Sequence, residues 1–127
     1  MIPREQPILY AADLSRCAAL GRFDAAAIAD AFSAALRAAG ATVVEQTHHG
    51  FPGGGLTCVL ILKESHAVVH TWPETGTVNI DIFSCSTRLK SLAAIETLGR
   101  IFGAEEVAVQ EISRADGQLR VPLRAGF

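Results

Sequence analysis

From Pro7 to Leu14 the chain is dense in apolar residues, and Pro7 sits at the beginning, where no ladder hydrogen bond is lost; this predicts a first strand. From Asp24 the period changes. Ala27, Ile28, Ala31, Phe32, Ala35 and Leu36 recur at spacings of three and four, with Asp24 placed to cap the amino end of a helix and Gly40 to stop it. Thr42 to His48 mixes β-branched and polar residues, as expected of a strand packed on one face and wet on the other. The loop Phe51-Pro52-Gly53-Gly54-Gly55 follows, with enough backbone freedom to approach a ligand closely.

Three further strands are predicted in quick succession, at Leu56 to Leu62, His66 to Thr71 and Thr77 to Ser84, the last two joined by the turn Trp72-Pro73-Glu74-Thr75-Gly76. They form an antiparallel meander. Leu89, Leu92, Ala93, Ile95, Leu98, Ile101 and Phe102 make a broad apolar stripe, so a second helix is expected from Thr87 to Phe102, ended by Gly103. Glu106 to Ile112 reads as a strand with Val107, Val109 and Glu111 on one face, and Leu119 to Leu123 as a candidate edge strand. The order β-α-β-β-β-β-α-β predicts an α+β fold, a two-layer α/β sandwich in which an antiparallel sheet carries two helices packed on one face. The other face is left for a partner subunit or a site.

Composition narrows the possible functions. A chain of 127 residues, half of them hydrophobic and 19% charged, suits one domain with a real core. A net charge of -2 and a pI near 6.0 lack the basic face expected of a nucleic-acid binder. No apolar run reaches the roughly 20 residues needed to span a bilayer, and Met1 to Gln6 contains no signal-peptide core, so a cytoplasmic protein with no membrane partner is expected. Cys17, Cys58 and Cys85 are odd in number and form no Cys-x-x-Cys pair, which argues against a disulfide framework or structural zinc. Cys17 and Cys58 read as small buried hydrophobes.

The chemistry concentrates between Glu64 and Glu74, where eleven residues hold a Glu-Ser bond, His66, His70 and Trp72. A serine hydroxyl can attack the carbonyl on its own amino side if the backbone is strained and a proton acceptor is near, which makes Ser65 a candidate nucleophile on Glu64. Ordinary surface hydroxyls start strands more often. His70 is a candidate general base, with a histidine hydrogen-bonded inside the sheet as the plainer alternative. Cys85, in the polar run Ser84-Cys85-Ser86-Thr87, is a candidate proton donor. A metal site is disfavoured, because the adjacent histidines His48 and His49 point to opposite faces of a strand and no carboxylate completes a set. Phe51 and Trp72 are aromatics that either stack on a planar ligand or fill the core, core being the expectation for Phe51. Glu74 is either a ligand contact or a solvated turn residue.

Taken together, Glu64-Ser65-His66, His70-Thr71-Trp72-Pro73-Glu74 and Asp81-Ile82-Phe83-Ser84-Cys85 resemble the prokaryotic S-adenosylmethionine decarboxylase proenzymes, in both motif and spacing. The likeness runs from Asp13-Leu14-x-x-Cys17 through Gly40-Ala41-Thr42-Val43 to Glu111-Ile112. The resemblance implies that Ser65 attacks Glu64, that β-elimination follows, and that the chain separates into a β chain, residues 1–64, and an α chain, residues 65–127, headed by a pyruvoyl group made from Ser65. By the same resemblance, His70 serves the elimination, Cys85 donates the proton in decarboxylation and Thr57 supports processing. Phe51, Trp72 and Glu74 fall near the substrate pocket. A pyruvoyl carbonyl binds the substrate amine as a Schiff base and acts as an electron sink when carbon dioxide leaves.

The implied activity is decarboxylation of S-adenosylmethionine, a small-molecule substrate, for spermidine and other polyamine synthesis, by a homodimer of processed protomers. A pyruvoyl-dependent arginine or ornithine decarboxylase is the runner-up, and a non-catalytic regulatory paralogue a third reading. The chain departs from the family pattern in having Thr75-Gly76-Thr77 where an aromatic commonly follows the glycine, Ser86 where glycine is usual, and Leu9-Tyr10 where a histidine is customary. Strand alternation sets Ser65 and His70 on opposite faces, so a bend or release of the new amino terminus is expected to bring them together.

Overall fold

A computed structural model describes residues 7–114 and 121–123. Its elements are β1 (Ile8–Ser15), a single 3-10 turn (Leu20–Arg22), α1 (Ala25–Ala38), β2 (Val43–Gly50), β3 (Leu56–Leu62), β4 (Ser65–Trp72), β5 (Thr77–Ser84), α2 (Ser91–Phe102) and β6 (Glu106–Ser113). The strands form one sheet in the order β2-β3-β4-β5-β1-β6, antiparallel at every pairing. The expected α+β sandwich is what forms.

The core lies between the helices and one sheet face. Alternation sends Leu56, Cys58, Leu60 and Leu62 of β3, Ala67 and Val69 of β4, and Val78, Ile80 and Ile82 of β5 to that side, all buried. Ile28, Phe32 and Leu36 of α1 and Ile95, Leu98 and Phe102 of α2 close over them. Each buried Val, Leu, Ile or Phe among them stabilises the fold by about 1.5–3 kcal/mol, enough to fix the registers of β3, β4 and β5, because a one-residue slip would turn a whole strand's apolar set outward.

Asp24 caps α1 as its sequence position predicts, its carboxylate accepting from the Ala27 N–H at 2.8 Å. Gly40 follows at φ +107°, and a Cβ there would clash with the Arg88 carbonyl oxygen, so α1 and the entry to α2 touch where only glycine fits.

Several expectations are corrected. α2 begins at Ser91 rather than Thr87, because local bonds hold the preceding residues out of helix: the Ser86 N–H donates to Ser84 Oγ, and the Arg88 N–H to Ser86 Oγ. Beyond Val43, which packs against the core, β2 has no packed face; every residue from Val44 to Gly50 is exposed, since it is an edge strand whose helix-facing side carries Gln46 and His48. Phe51 is not core but 50% exposed, edge-to-face with His49 at 4.7 Å. The candidate strand at Leu119 to Leu123 falls partly outside the described residues, and 121–123 carry no strand.

Candidate active site

The turn between β3 and β4 is only two residues long: Leu62 pairs with Ser65, leaving Lys63 and Glu64 to reverse the chain. Closing so short a turn puts Glu64 at φ +63°, the left-handed region, which costs a residue with a Cβ about 1–2 kcal/mol. The Glu64-Ser65 bond is therefore held in a strained turn. Ser65 folds its hydroxyl back over that turn, donating to the Lys63 carbonyl at 3.4 Å. Across the sheet, the register His66↔Phe83 carried two pairs further sets Cys85 opposite Glu64, and its thiol donates to the Glu64 carbonyl oxygen at 3.4 Å. This thiol is half-buried, whereas Cys17 and Cys58 are fully buried and inert, the Cys58 thiol pushed up to about 11 by burial.

A second cluster forms farther along the same strands. Thr57 and His70 are directly opposed on β3 and β4, and Thr57 Oγ1 lies 2.9 Å from His70 Nδ1. In the tautomer whose Nδ1–H donates to the hydroxyl, Nε2 keeps a free lone pair for a proton; in the other, the hydroxyl donates to Nδ1. A cavity of about 270 Å³ opens beside this pair, lined also by Phe51, Trp72 and Glu74 at the β2–β3 loop and the β4–β5 turn. Trp72 is 47% exposed, so neither aromatic is spent on the core. The five side chains Thr57, His70, Phe51, Trp72 and Glu74 thus share one cavity.

The two clusters do not meet within one chain. Ser65 and His70 are five residues apart on β4, about 16 Å at the usual rise, and alternation turns them to opposite faces. β4 pairs without interruption with β3 from Ser65 to Thr71 and with β5 from His66 to Trp72, so no bend draws them together. Ser65 instead borders a polar cleft on the helix side with Thr42, Lys63, Ser86 and Arg88. Sequence reasoning missed Asn79, which accepts the Trp72 indole N–H and donates to Asp13 on the open face. The alternation of β5, which turns Asn79 away from the buried Val78 and Ile80, marked it as lying on the face away from the core but did not name its partner.

The arrangement offers a carbonyl in a strained turn with a thiol donor, a hydroxyl on the next residue, and a separate histidine beside an aromatic cavity. The sequence profile of the S-adenosylmethionine decarboxylase family matches residues 9–115. The S-adenosylmethionine decarboxylase proenzyme of Acidithiobacillus ferrooxidans is 36% identical over 103 residues, which cover 81% of this chain and 77% of that protein. The proenzyme of that name from Methanococcus maripaludis is 35% identical over 89 residues, 68% of this chain and 73% of its own length. Among solved structures, the adenosylmethionine decarboxylase from Aquifex aeolicus superposes with a TM-score of 0.78 over 95% of this chain and 100% of that one, at 21% identity, and so shares the fold. With the family profile spanning most of its length, this chain belongs to the S-adenosylmethionine decarboxylase family.

Proposed function

We propose that this chain cleaves itself between Glu64 and Ser65 and then, as a pyruvoyl enzyme, decarboxylates S-adenosylmethionine for polyamine synthesis. The observation that carries the reading is the Glu64 carbonyl, set in a turn whose Glu64 backbone is held at φ +63° and accepting from the Cys85 thiol, with the Ser65 hydroxyl on the next residue. The thiol donor withdraws electron density from the carbonyl carbon. Ser65 Oγ attacks that carbon, the Glu64-Ser65 C–N bond breaks and an ester forms, relieving the turn. Removal of the Ser65 α-proton expels the Glu64 carboxylate, leaving residues 1–64 with a free carboxyl end. Hydrolysis with loss of ammonia converts what was Ser65 into the pyruvoyl head of residues 65–127.

The residues fit that group: the Ser65 position borders a polar cleft, and Cys85 stands within reach as the one thiol not shut in the core. The pyruvoyl group supplies an electron sink for the departing carbon dioxide. Cys85 then returns a proton to the substrate carbon, Phe51 and Trp72 flank a flat part of the substrate, and Glu74 binds its polar edge.

His70 completes the site from a second copy. The separation of Ser65 from His70 within one chain, and an open sheet face on which Ile61 is 42% and Trp72 47% exposed, support a homodimer that sets Thr57 and His70 of one protomer against Glu64-Ser65 and Cys85 of its partner. Three free cysteines accord with a reducing compartment, and cytoplasmic action is part of the reading. Carbon dioxide release from labelled S-adenosylmethionine, arginine and ornithine tests the substrate. Release from S-adenosylmethionine alone is expected, and release only from arginine or ornithine overturns this assignment.

A further inference from the structure

Asn79 lies on β5 directly opposite both His70 on β4 and Asp13 on β1. Its side-chain oxygen accepts the Trp72 indole N–H at 2.7 Å, and its amide nitrogen donates to Asp13 Oδ1 at 2.7 Å. Neither partner allows the reverse. An indole nitrogen only donates and an ionised carboxylate only accepts, so the two contacts together fix one orientation of the amide. A half-exposed indole without such a tether exchanges rotamers freely.

The direction of the tether matters. Asn79 draws the indole N–H toward β5, whereas the cavity shared by Thr57, His70 and Phe51 lies on the β3 side of β4. The N–H is thereby consumed, and the cavity is offered ring carbon rather than a hydrogen-bond donor. Neither Asn79 nor Asp13 lines that cavity, so both reach it only through Trp72. We infer that Asn79, itself held by Asp13, is a positioning residue that locks Trp72 as a flat, donor-free wall of the His70 cavity and so sets this site's preference for a planar ligand group.

Trp72 is the only tryptophan of the chain, so its fluorescence reports the tether directly in the full-length protein. Asn79→Leu removes both hydrogen bonds on the sheet face away from the helices and leaves the core untouched, Asp13→Leu removes the outer support, and Asp13→Asn keeps an acceptor oxygen in place. Asn79→Leu is expected to lower the tryptophan anisotropy, raise acrylamide quenching about twofold and raise KM for S-adenosylmethionine about two- to tenfold, the range one lost hydrogen bond spans. kcat should stay within about twofold, Asp13→Leu should fall between, and Asp13→Asn should restore wild-type behaviour. The KM arm rests on the decarboxylase reading, whereas anisotropy and quenching do not. If the wild type releases no carbon dioxide, that reading fails and the optical arm alone decides. Unchanged anisotropy and quenching in Asn79→Leu overturn the tether, and a fall in kcat at constant KM overturns its role in ligand preference.

Discussion

Replacing Thr57 with valine removes the hydroxyl that holds the His70 ring while keeping nearly the same shape. The two side chains meet at 2.9 Å across the β3–β4 pair, and the contact holds the orientation of the imidazole ring. A neutral hydrogen bond of this kind contributes about 0.5–1.5 kcal/mol. If that is the stabilisation His70 loses in the reactive arrangement, and about 1.4 kcal/mol is tenfold in rate, self-cleavage slows by roughly two- to tenfold. The appearance of residues 65–127 from freshly made full-length protein, followed by gel densitometry at constant pH, gives the first-order rate. Thr57→Ser keeps the hydroxyl and should process near the wild-type rate. Wild-type processing of Thr57→Val, or a serine variant as slow as the valine one, would show that the Thr57–His70 contact is an ordinary sheet hydrogen bond.

Two further predictions concern the scaffold. Gly40→Ala sets a Cβ against the Arg88 carbonyl at φ +107° and should destabilise the fold by about 1–3 kcal/mol, lowering the thermal midpoint by several degrees; an unchanged midpoint contradicts the close approach of α1 to the α2 entry. Burial raises the Cys58 thiol from 9.0 to about 11, so the unfolded chain ionises first as pH rises. The stability this contributes is fully present below pH 9 and is lost between about pH 9 and 11, by roughly 2–3 kcal/mol. Denaturant melts across that range should show the decline, and Cys58→Val should flatten it in part, because Cys17 and Tyr10 are shifted upward as well, chiefly by burial.

The helix period of Ala27 to Leu36 and the apolar runs of β3 and β5 were legible because burial on one side dictates their residue types. β3 and β5 form with the predicted bounds, Leu56–Leu62 and Thr77–Ser84. β2 was misread because β-branched residues suit an exposed edge strand as well as a half-buried one. The start of α2 was hidden by serine side chains that compete with the helix for backbone N–H groups. In the site, motif spacing singled out Ser65, His70 and Cys85, but which of them meet depends on strand register. Pairing Leu62 with Ser65 makes Thr57 and His70 opposed, and the β4–β5 register makes Glu64 and Cys85 opposed. Beginning β4 at His66 concealed the two-residue turn, and with it the strain at Glu64. Nothing in one strand's periodicity could assign Asn79 to Trp72, since that contact runs diagonally between strands.

Self-cleavage at the bond between Glu64 and Ser65 is tested most directly by intact-mass analysis of the purified protein. The wild type should resolve into two chains, residues 1–64 with an ordinary carboxyl end and residues 65–127 lacking an amino group at the new terminus, while Ser65→Ala stays whole. A wild type that remains a single unmodified chain of 127 residues contradicts self-cleavage.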